Sequence, residues 1–297
     1  VNRLVDEQGN LLVEKGELDS IQPGLLLFPL EDRTGDPRYR QAARKLRALY
    51  DTFNRTKEGG FWHKDRYPYQ MWLDGLYMGG VFAIRYGRRY DDPSLFNMVL
   101  HQERLMRQAT LRPDGLLVHA WDESRRAPWA DPANGRAPEV WGRALGWYGV
   151  ALADIGAALP SKHPGRTRVA KSLGELADTL VRYQDASSGL WYQIVDKGGA
   201  EGNWLEMSCT SLFVYTIACA VRLGASDRAL LDAARRGFEG MTQRIGADAA
   251  GRLLIPDICI GTGVGDYAHY AARPSAANDL HGVGAFIWAC MALEETR

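Results

Sequence analysis

The chain has 297 residues, with 36 basic and 36 acidic side chains, which is enough for one large domain or two ordinary ones. The balanced charge, without a basic run, argues against nucleic acid as a partner, and no apolar stretch is long enough to cross a bilayer. The four cysteines show no C-x-x-C pairing, so we expect small core residues rather than a disulfide framework or a zinc site.

Predicted apolar helices alternate with amphipathic ones along the whole chain. Apolar periodicity, turn residues and prolines define their limits. The first apolar helix begins near Asp19 and should end or kink at Pro29. The following helices, alternately amphipathic and apolar, are predicted at residues 36–53, 72–86, 92–111, 139–159, 165–185, 204–223, 227–245 and 278–295, and short strands at 116–123, 187–195 and 253–256.

This alternation repeats every ~55–73 residues and predicts an all-α fold of two concentric layers, an α/α toroid, in a single domain over residues 1–297. A solenoid of helix pairs would alternate too, although its repeats are usually shorter. All inner helices would start at one face. A closed toroid of six hairpins needs twelve helices, and we find five inner and four outer ones, so we expect the first helices to be missing before Val1.

The chain shows no signal peptide. Because the natural N-terminus is expected to be missing, localisation cannot be assigned from this end. A bacterial cytoplasmic or periplasmic location is the expectation.

Polar residues at the predicted starts of the inner helices should converge on one pocket. Two carboxylates on one face are the minimum for glycoside chemistry, and their proximity should raise one pKa and keep that acid protonated. An arginine there offers a planar fork for a carboxylate, and a histidine can donate a hydrogen bond or a proton. The candidates are Asp19, Asp74, Trp141, Arg143, Asp279 and His281 on helices, with His119, Trp121 and Asp122 on the strand after the fourth helix.

Structural roles remain open for these residues. Asp74 would serve equally as a cap for a neighbouring loop, the tryptophans as core residues, and the whole chain as a structural helical array. No H-E-x-x-H motif or close histidine pair suggests a metal, and the glycines from Gly261 to Gly265 lack the spacing and context of a dinucleotide-binding loop.

The chain resembles glycoside hydrolase family 105, the unsaturated rhamnogalacturonyl hydrolases, in motifs that occur in the family's order. They are Trp62-His-Lys, Tyr67-Pro-Tyr-Gln-Met-Trp-Leu-Asp-Gly-Leu-Tyr-Met, Val118-His-Ala-Trp-Asp-Glu, Trp141-Gly-Arg-Ala-Leu-Gly-Trp and Asn278-Asp-Leu-His-Gly-Val-Gly-Ala-Phe. The resemblance implies an (α/α)6 barrel, in agreement with the repeat.

The resemblance also implies roles for individual residues. Asp74 matches the catalytic general acid, Asp19 the second active-site aspartate and His119 the active-site histidine. Ala144 stands where many relatives have glycine, and no metal or organic cofactor is implied. Residues expected to bind the unsaturated sugar are Arg143, Trp141, Trp147, Trp72, His63 and Lys64.

The implied substrate is an unsaturated oligosaccharide made by a polysaccharide lyase, from pectin in the nearest case, with no obligate protein partner. Asp74 would protonate C4 of the vinyl ether and then activate water for C5. The loops at residues 62–67, 125–136 and 261–270 would select the leaving sugar. Alternatives are a glucuronyl hydrolase acting on another polysaccharide, a non-catalytic carbohydrate-binding toroid, or a sugar 2-epimerase, which would favour a histidine pair.

Overall fold

The structure, a computed structural model, describes residues 4–13 and 16–296. Its α-helices, in chain order, are α1 Leu27–Thr34, α2 Pro37–Leu49, α3 Phe82–Tyr90, α4 Ser94–Thr110, α5 Gly142–Ala158, α6 Gly165–Arg182, α7 Met207–Arg222, α8 Leu231–Thr242, α9 Tyr267–Ala271 and α10 Leu280–Glu294. The short strands are β1 Gln70–Trp72, β2 Ala120–Asp122, β3 Gly246–Ala247, β4 Leu253–Leu254, β5 Ile258–Cys259 and β6 Ser275–Ala276.

The helices form two layers, as the alternation predicted. The inner layer consists, in order, of α1, α3, α5, α7 and α10. Helix α1 is preceded by 3₁₀ segments, and α3 is preceded by a π turn. The outer helices α2, α4, α6 and α8 each pack over the inner layer. The outer helices have one apolar stripe because only one side meets the core, whereas the central inner helices meet protein on every side.

Small residues let the central inner helices approach closely. A Cβ atom on Gly146 would lie 2.6 Å from the side chain of Leu212, and one on Gly149 would lie 2.5 Å from that of Thr216. Real Cβ atoms do not come so near, so α5 and α7 pack at this distance only with glycine there. The two helices are buried over most of their length.

The first predicted helix is divided into three parts. Two 3₁₀ segments, Leu18–Ser20 and Gln22–Leu26, precede α1. The prediction that Pro29 ends or kinks this helix is wrong, because Pro29 lies in the first turn of α1, where no backbone N–H is needed.

The predicted helix at residues 72–86 begins later than expected. Trp72 is the last residue of β1, which pairs antiparallel with β2 and places Trp72 opposite Ala120. The chain becomes helical at Asp74 and passes through a π turn, Leu76–Val81. Tyr50 Oη donates a hydrogen bond to the Gly79 carbonyl at 2.5 Å, which draws this carbonyl away from the regular helical ladder.

Smaller elements also differ from the prediction. Residues 187–195 form only isolated bridges, such as Trp141 with Ile194, rather than a strand. The strand at Leu253 is confirmed and pairs with β3, and α9 was not predicted. The cysteines are free thiols, and three of the four are buried, as expected of core residues.

Helix α10 is apolar all round, yet one side of it is open. Leu280 is 84% exposed, and Ile287 and Met291 are more than half exposed. No residue that the structure describes covers this face. No helix in the described part of the chain is long and apolar enough to span a membrane.

Candidate active site

A cavity of about 380 Å³ opens at the end of the toroid where the inner helices begin, a size typical of small-molecule sites. Eight of the nine predicted site residues line it, namely Asp19, His63, Lys64, Trp72, Asp74, Trp141, Arg143 and Trp147. The ninth, His119, lies directly behind Asp74. The convergence expected from the shared orientation of the inner helices therefore occurs.

Asp74 occupies the junction between β1 and the π turn. Its side chain is 13% exposed, and its Oδ2 lies 3.2 Å from Nε2 of His119, which is fully buried. Burial raises the pKa of Asp74, but the hydrogen bond from His119 and the nearby imidazoles of His119 and His63 outweigh it. The pKa is therefore held below its ordinary value. The prediction that crowding raises the pKa of one carboxyl group is therefore wrong for Asp74.

Asp19 belongs to a charged cluster on the opposite wall. Its Oδ2 lies 2.5 Å from Nζ of Lys64, which also contacts Glu17 at 3.1 Å. Burial lowers the pKa of Lys64, but the two carboxylates outweigh it and raise it. Lys64 therefore remains a cation that fixes Asp19 in place.

His63 lies between the two carboxylates. Its Nε2 is 3.5 Å from Oδ1 of Asp19, and burial lowers the pKa of the imidazole despite the nearby charges of Asp19 and Asp74. Its ring stacks on Trp72, with centroids 4.4 Å apart, and Trp72 stacks in turn on Tyr67 at 5.0 Å. The three rings form one continuous wall.

Arg143 is a buried cation held by neutral acceptors. Nη1 donates to the Cys259 carbonyl and to Oγ of Ser208, and Nη2 donates to the Ile260 carbonyl at 2.9 Å. Its guanidinium lies 4.6 Å from the ring centroid of Trp141. Among the residues that the structure describes, no carboxylate forms an ion pair with Arg143. The buried carboxylate of Glu206 accepts hydrogen bonds from the same Ser208 hydroxyl, so it balances the charge of Arg143 only through Ser208. A guanidinium that is oriented in this way, without a direct ion pair, suits an anionic ligand.

Trp141 and Trp147 are both buried core residues and cavity walls. Trp147 stacks on Tyr77 with centroids 4.6 Å apart, while Trp141 packs against Tyr270. The core and binding interpretations of these tryptophans are therefore compatible, since one edge of each ring reaches the cavity.

Arg66 and Thr262 also line the cavity and lie in two of the loops suggested by the sequence, whereas Met78 and Arg273 were not suggested as site residues. Nη2 of Arg273 donates to the Gly261 carbonyl, while its buried Nε has no hydrogen-bond partner within the described ranges. With Lys64 and Arg143, these two arginines outnumber the two carboxylates of the wall. No motif marks Arg66 or Arg273 in the sequence, and only the folded chain brings them to the cavity.

Tyr270 was also missed. Its Oη lies 2.6 Å from Nδ1 of His119 and accepts a hydrogen bond from the Gly265 N–H at 3.2 Å. The residue is fully buried and is the last of the loop at residues 261–270, which the sequence suggested only for selecting the leaving sugar.

Three other candidates have structural roles or lie at the rim. Asp122 accepts hydrogen bonds from the backbone N–H groups of Ser124, Arg126 and Ala127, and so shapes a loop. Asp279 caps α10 and contacts His281, which reaches the cavity. No group of three or more histidine, cysteine or carboxylate side chains in the described part of the chain could hold a metal ion.

Comparison with known proteins places this geometry in a family. The family model described as Glycosyl Hydrolase Family 88 matches residues 1–296. A solved structure from C. acetobutylicum ATCC 824, described as a glycoside hydrolase from family 105, is 35% identical. It superposes with a TM-score of 0.95 and covers 99% of this chain and 85% of that one.

Two curated proteins are also similar. Protein Atu3128 of Agrobacterium fabrum is 32% identical over 226 residues, which are 71% of this chain and 96% of that protein. Unsaturated rhamnogalacturonyl hydrolase YesR of Bacillus subtilis is 28% identical over 258 residues, 83% of this chain and 71% of that protein. The chain has the (α/α)6-toroid fold of these families, and it belongs to glycoside hydrolase family 105, within the sequences that the family 88 model describes.

Proposed function

We propose that this glycoside hydrolase removes an unsaturated uronic acid from the non-reducing end of lyase-generated oligosaccharides. The observation that carries the proposal is the presence, in one cavity, of the buried carboxyl of Asp74 and of the guanidinium of Arg143, which has no direct ion pair with a described residue. A uronic acid offers a carboxylate for the arginine and a C4=C5 vinyl ether for the acid.

The reaction adds one water molecule and needs only an acid that can also act as a base. Asp74 gives its proton to C4, and the electrons of the double bond leave a cation at C5 that the ring oxygen stabilises. Water then adds to C5 while its proton returns to Asp74. The resulting hemiketal opens to a C5 ketone, and C1 becomes an aldehyde as the leaving sugar departs as an alcohol.

The lowered pKa of Asp74 is compatible with this role. The substrate carboxylate adds a negative charge and displaces water beside Asp74, and both effects raise the pKa of a carboxyl group. Arg143 and Arg273 offset part of that charge. The acid form therefore becomes accessible when the substrate binds.

Recognition of the unsaturated ring would fall to the stacked wall and the tryptophans. Trp72, Trp141 and Trp147 present apolar edges to a flat ring, and His63 and Lys64 present hydrogen-bond donors. Asp19, fixed by Lys64, would accept hydrogen bonds from the sugar hydroxyls.

For the leaving sugar we propose rhamnose, so that the substrate is a rhamnogalacturonan fragment from pectin. The similarity to YesR supports this choice. A second cavity of about 430 Å³ adjoins the first and shares Tyr67, Trp72 and Gly263 with it. Its other walls include Trp129 and His269, so all three loops suggested by the sequence contribute to it.

A panel of unsaturated disaccharides from pectin, ulvan and glycosaminoglycans tests the proposal. Loss of the ultraviolet absorbance of the vinyl ether reports hydration, and Asp74→Asn provides the inactive control. We expect turnover of the galacturonyl-rhamnose substrate. Turnover confined to glucuronyl substrates would overturn the pectin assignment but not the hydration mechanism. Binding without any loss of absorbance would indicate a carbohydrate-binding protein.

A further inference from the structure

The hydrogen bonds around Tyr270 restrict where its hydroxyl hydrogen lies. Oη has two polar neighbours, the Gly265 N–H at 3.2 Å and Nδ1 of His119 at 2.6 Å. The N–H group can only donate, so Oη accepts from Gly265. Among the described residues no further acceptor is hydrogen-bonded to Oη. The hydroxyl hydrogen is therefore satisfied only when it points to Nδ1, which must then carry no proton.

The other side of the imidazole leads to the same arrangement. Nε2 of His119 faces Oδ2 of Asp74 at 3.2 Å. An ionised carboxylate can only accept a hydrogen bond, so Nε2 must carry the proton. Because His119 and Tyr270 are both fully buried, an unsatisfied donor at either position would be costly.

Packing fixes Tyr270 in this position. Its ring lies against Trp141, with an angle of 17° between the planes, and its carbonyl accepts a hydrogen bond from Nε2 of Gln193 at 3.1 Å. Only glycine fits at position 265, because a Cβ atom there would lie 2.4 Å from the His269 ring. The loop therefore brings the Gly265 N–H to Tyr270 only with glycine at this position.

We propose that Tyr270 is a positioning residue that holds His119 as the neutral tautomer protonated on Nε2. In this form His119 donates to Oδ2 of Asp74, so that the proton of the acid is confined to Oδ1. Tyr270 does not line the cavity and acts on the substrate only through His119 and Asp74. The inference rests on the proposed role of Asp74, but the state of the imidazole can be measured without substrate.

The first experiment is nitrogen NMR of the protein labelled with [¹⁵N]histidine. The chain has six histidines, and the His119 ring signals are assigned by their absence in His119→Gln. We expect wild-type His119 to show a protonated Nε2 and an unprotonated Nδ1 near neutral pH. In Tyr270→Phe the fraction of His119 protonated on Nδ1 should rise, because Nδ1 has lost its donor and only Asp74 still favours a proton on Nε2.

The second experiment compares the kinetics of Tyr270→Phe with those of Tyr148→Phe. Tyr148 is equally buried and donates one hydrogen bond, to Glu103 at 3.1 Å, and neither residue lines the cavity. We expect Tyr270→Phe to lower kcat about tenfold, the equivalent of one hydrogen bond, with little change in KM. Tyr148→Phe should reduce thermal stability to a similar extent without changing kcat or the His119 signals.

Two results would overturn the proposal. One is a wild-type His119 that carries its proton on Nδ1 or on both nitrogens. The other is a Tyr270→Phe protein whose kcat and tautomer match those of Tyr148→Phe. If Tyr270→Phe does not fold, the wild-type spectrum still tests the tautomer, and a proton on Nδ1 would overturn the proposal. If the tautomer is as expected but no unsaturated disaccharide is turned over, the proposed function fails and the positioning role stands.

Discussion

The two aspartates of the cavity are the same residue type at the start of neighbouring inner segments, yet their surroundings differ. Both contact an imidazole, but Asp74 is 13% exposed and, within the described ranges, has only His119, whereas Asp19 is 37% exposed and also contacts the ammonium group of Lys64. An imidazole can share a proton with a carboxyl group, while an ammonium ion favours a permanent ion pair. The ammonium partner therefore distinguishes the fixed charge of Asp19 from the proton donor proposed for Asp74.

The strongest test of this difference is Asp74→Asn. The amide keeps the size of the side chain but cannot transfer a proton, so we expect kcat to fall about 10²- to 10⁴-fold or more, with substrate binding retained. Loss of vinyl-ether absorbance and calorimetric binding of the substrate are the measurements.

Asp154→Asn is the matched control for this loss. Asp154 is 15% exposed and is paired with Arg85 at 2.8 Å, away from the cavity. We expect Asp154→Asn to keep nearly full activity. Residual activity of Asp74→Asn within about tenfold of wild type would remove Asp74 from the mechanism.

The pH dependence of kcat/KM should follow the acid form of Asp74 in the free enzyme. Because the folded pKa of Asp74 lies below its ordinary value, the acid form is scarce at neutral pH and is lost further as pH rises. We expect kcat/KM to fall about a hundredfold between about pH 6 and about pH 8. A flat or rising profile would contradict this. The profile of kcat should be flatter, since bound substrate raises the pKa.

Asp19→Asn should have a smaller effect than Asp74→Asn. The amide loses one charge-assisted hydrogen bond to Lys64, which retains Glu17 as a partner, so we expect kcat/KM to fall about 10- to 100-fold. The alkaline decline of kcat/KM should keep its shape, because Asp74 is still present. A loss as large as that of Asp74→Asn would abolish the distinction between the two carboxylates.

Arg143→Lys should produce the smallest change and should act on binding. A lysine keeps the positive charge but cannot reproduce the planar fork, so we expect KM to rise about tenfold with kcat nearly unchanged. Steady-state kinetics on the best disaccharide separate the two constants. A lowered kcat with unchanged KM would instead assign Arg143 to the transition state.

Most of the fold could be predicted from the sequence because local signals agree with the final packing. Asp36 before Pro37 marks the start of α2, and the side chain of Asp36 does accept a hydrogen bond from the Arg38 N–H. The alternation of apolar and amphipathic helices was sufficient to predict the two layers. The clustering of residues from the inner helix starts could then be predicted, since inner helices that run in the same direction expose their first residues at one end.

The remaining features depend on contacts between distant residues. Trp72 is in a strand because it pairs with Ala120, and Tyr270 reaches His119 across 151 residues of sequence. The low pKa of Asp74 also depends on His119, which is 45 residues away. The helical layers and the candidate carboxylates follow from local sequence patterns. The partner of each carboxylate depends on the folded chain, because hydrogen bonds and charges act over a few ångströms in space, whatever the separation in sequence.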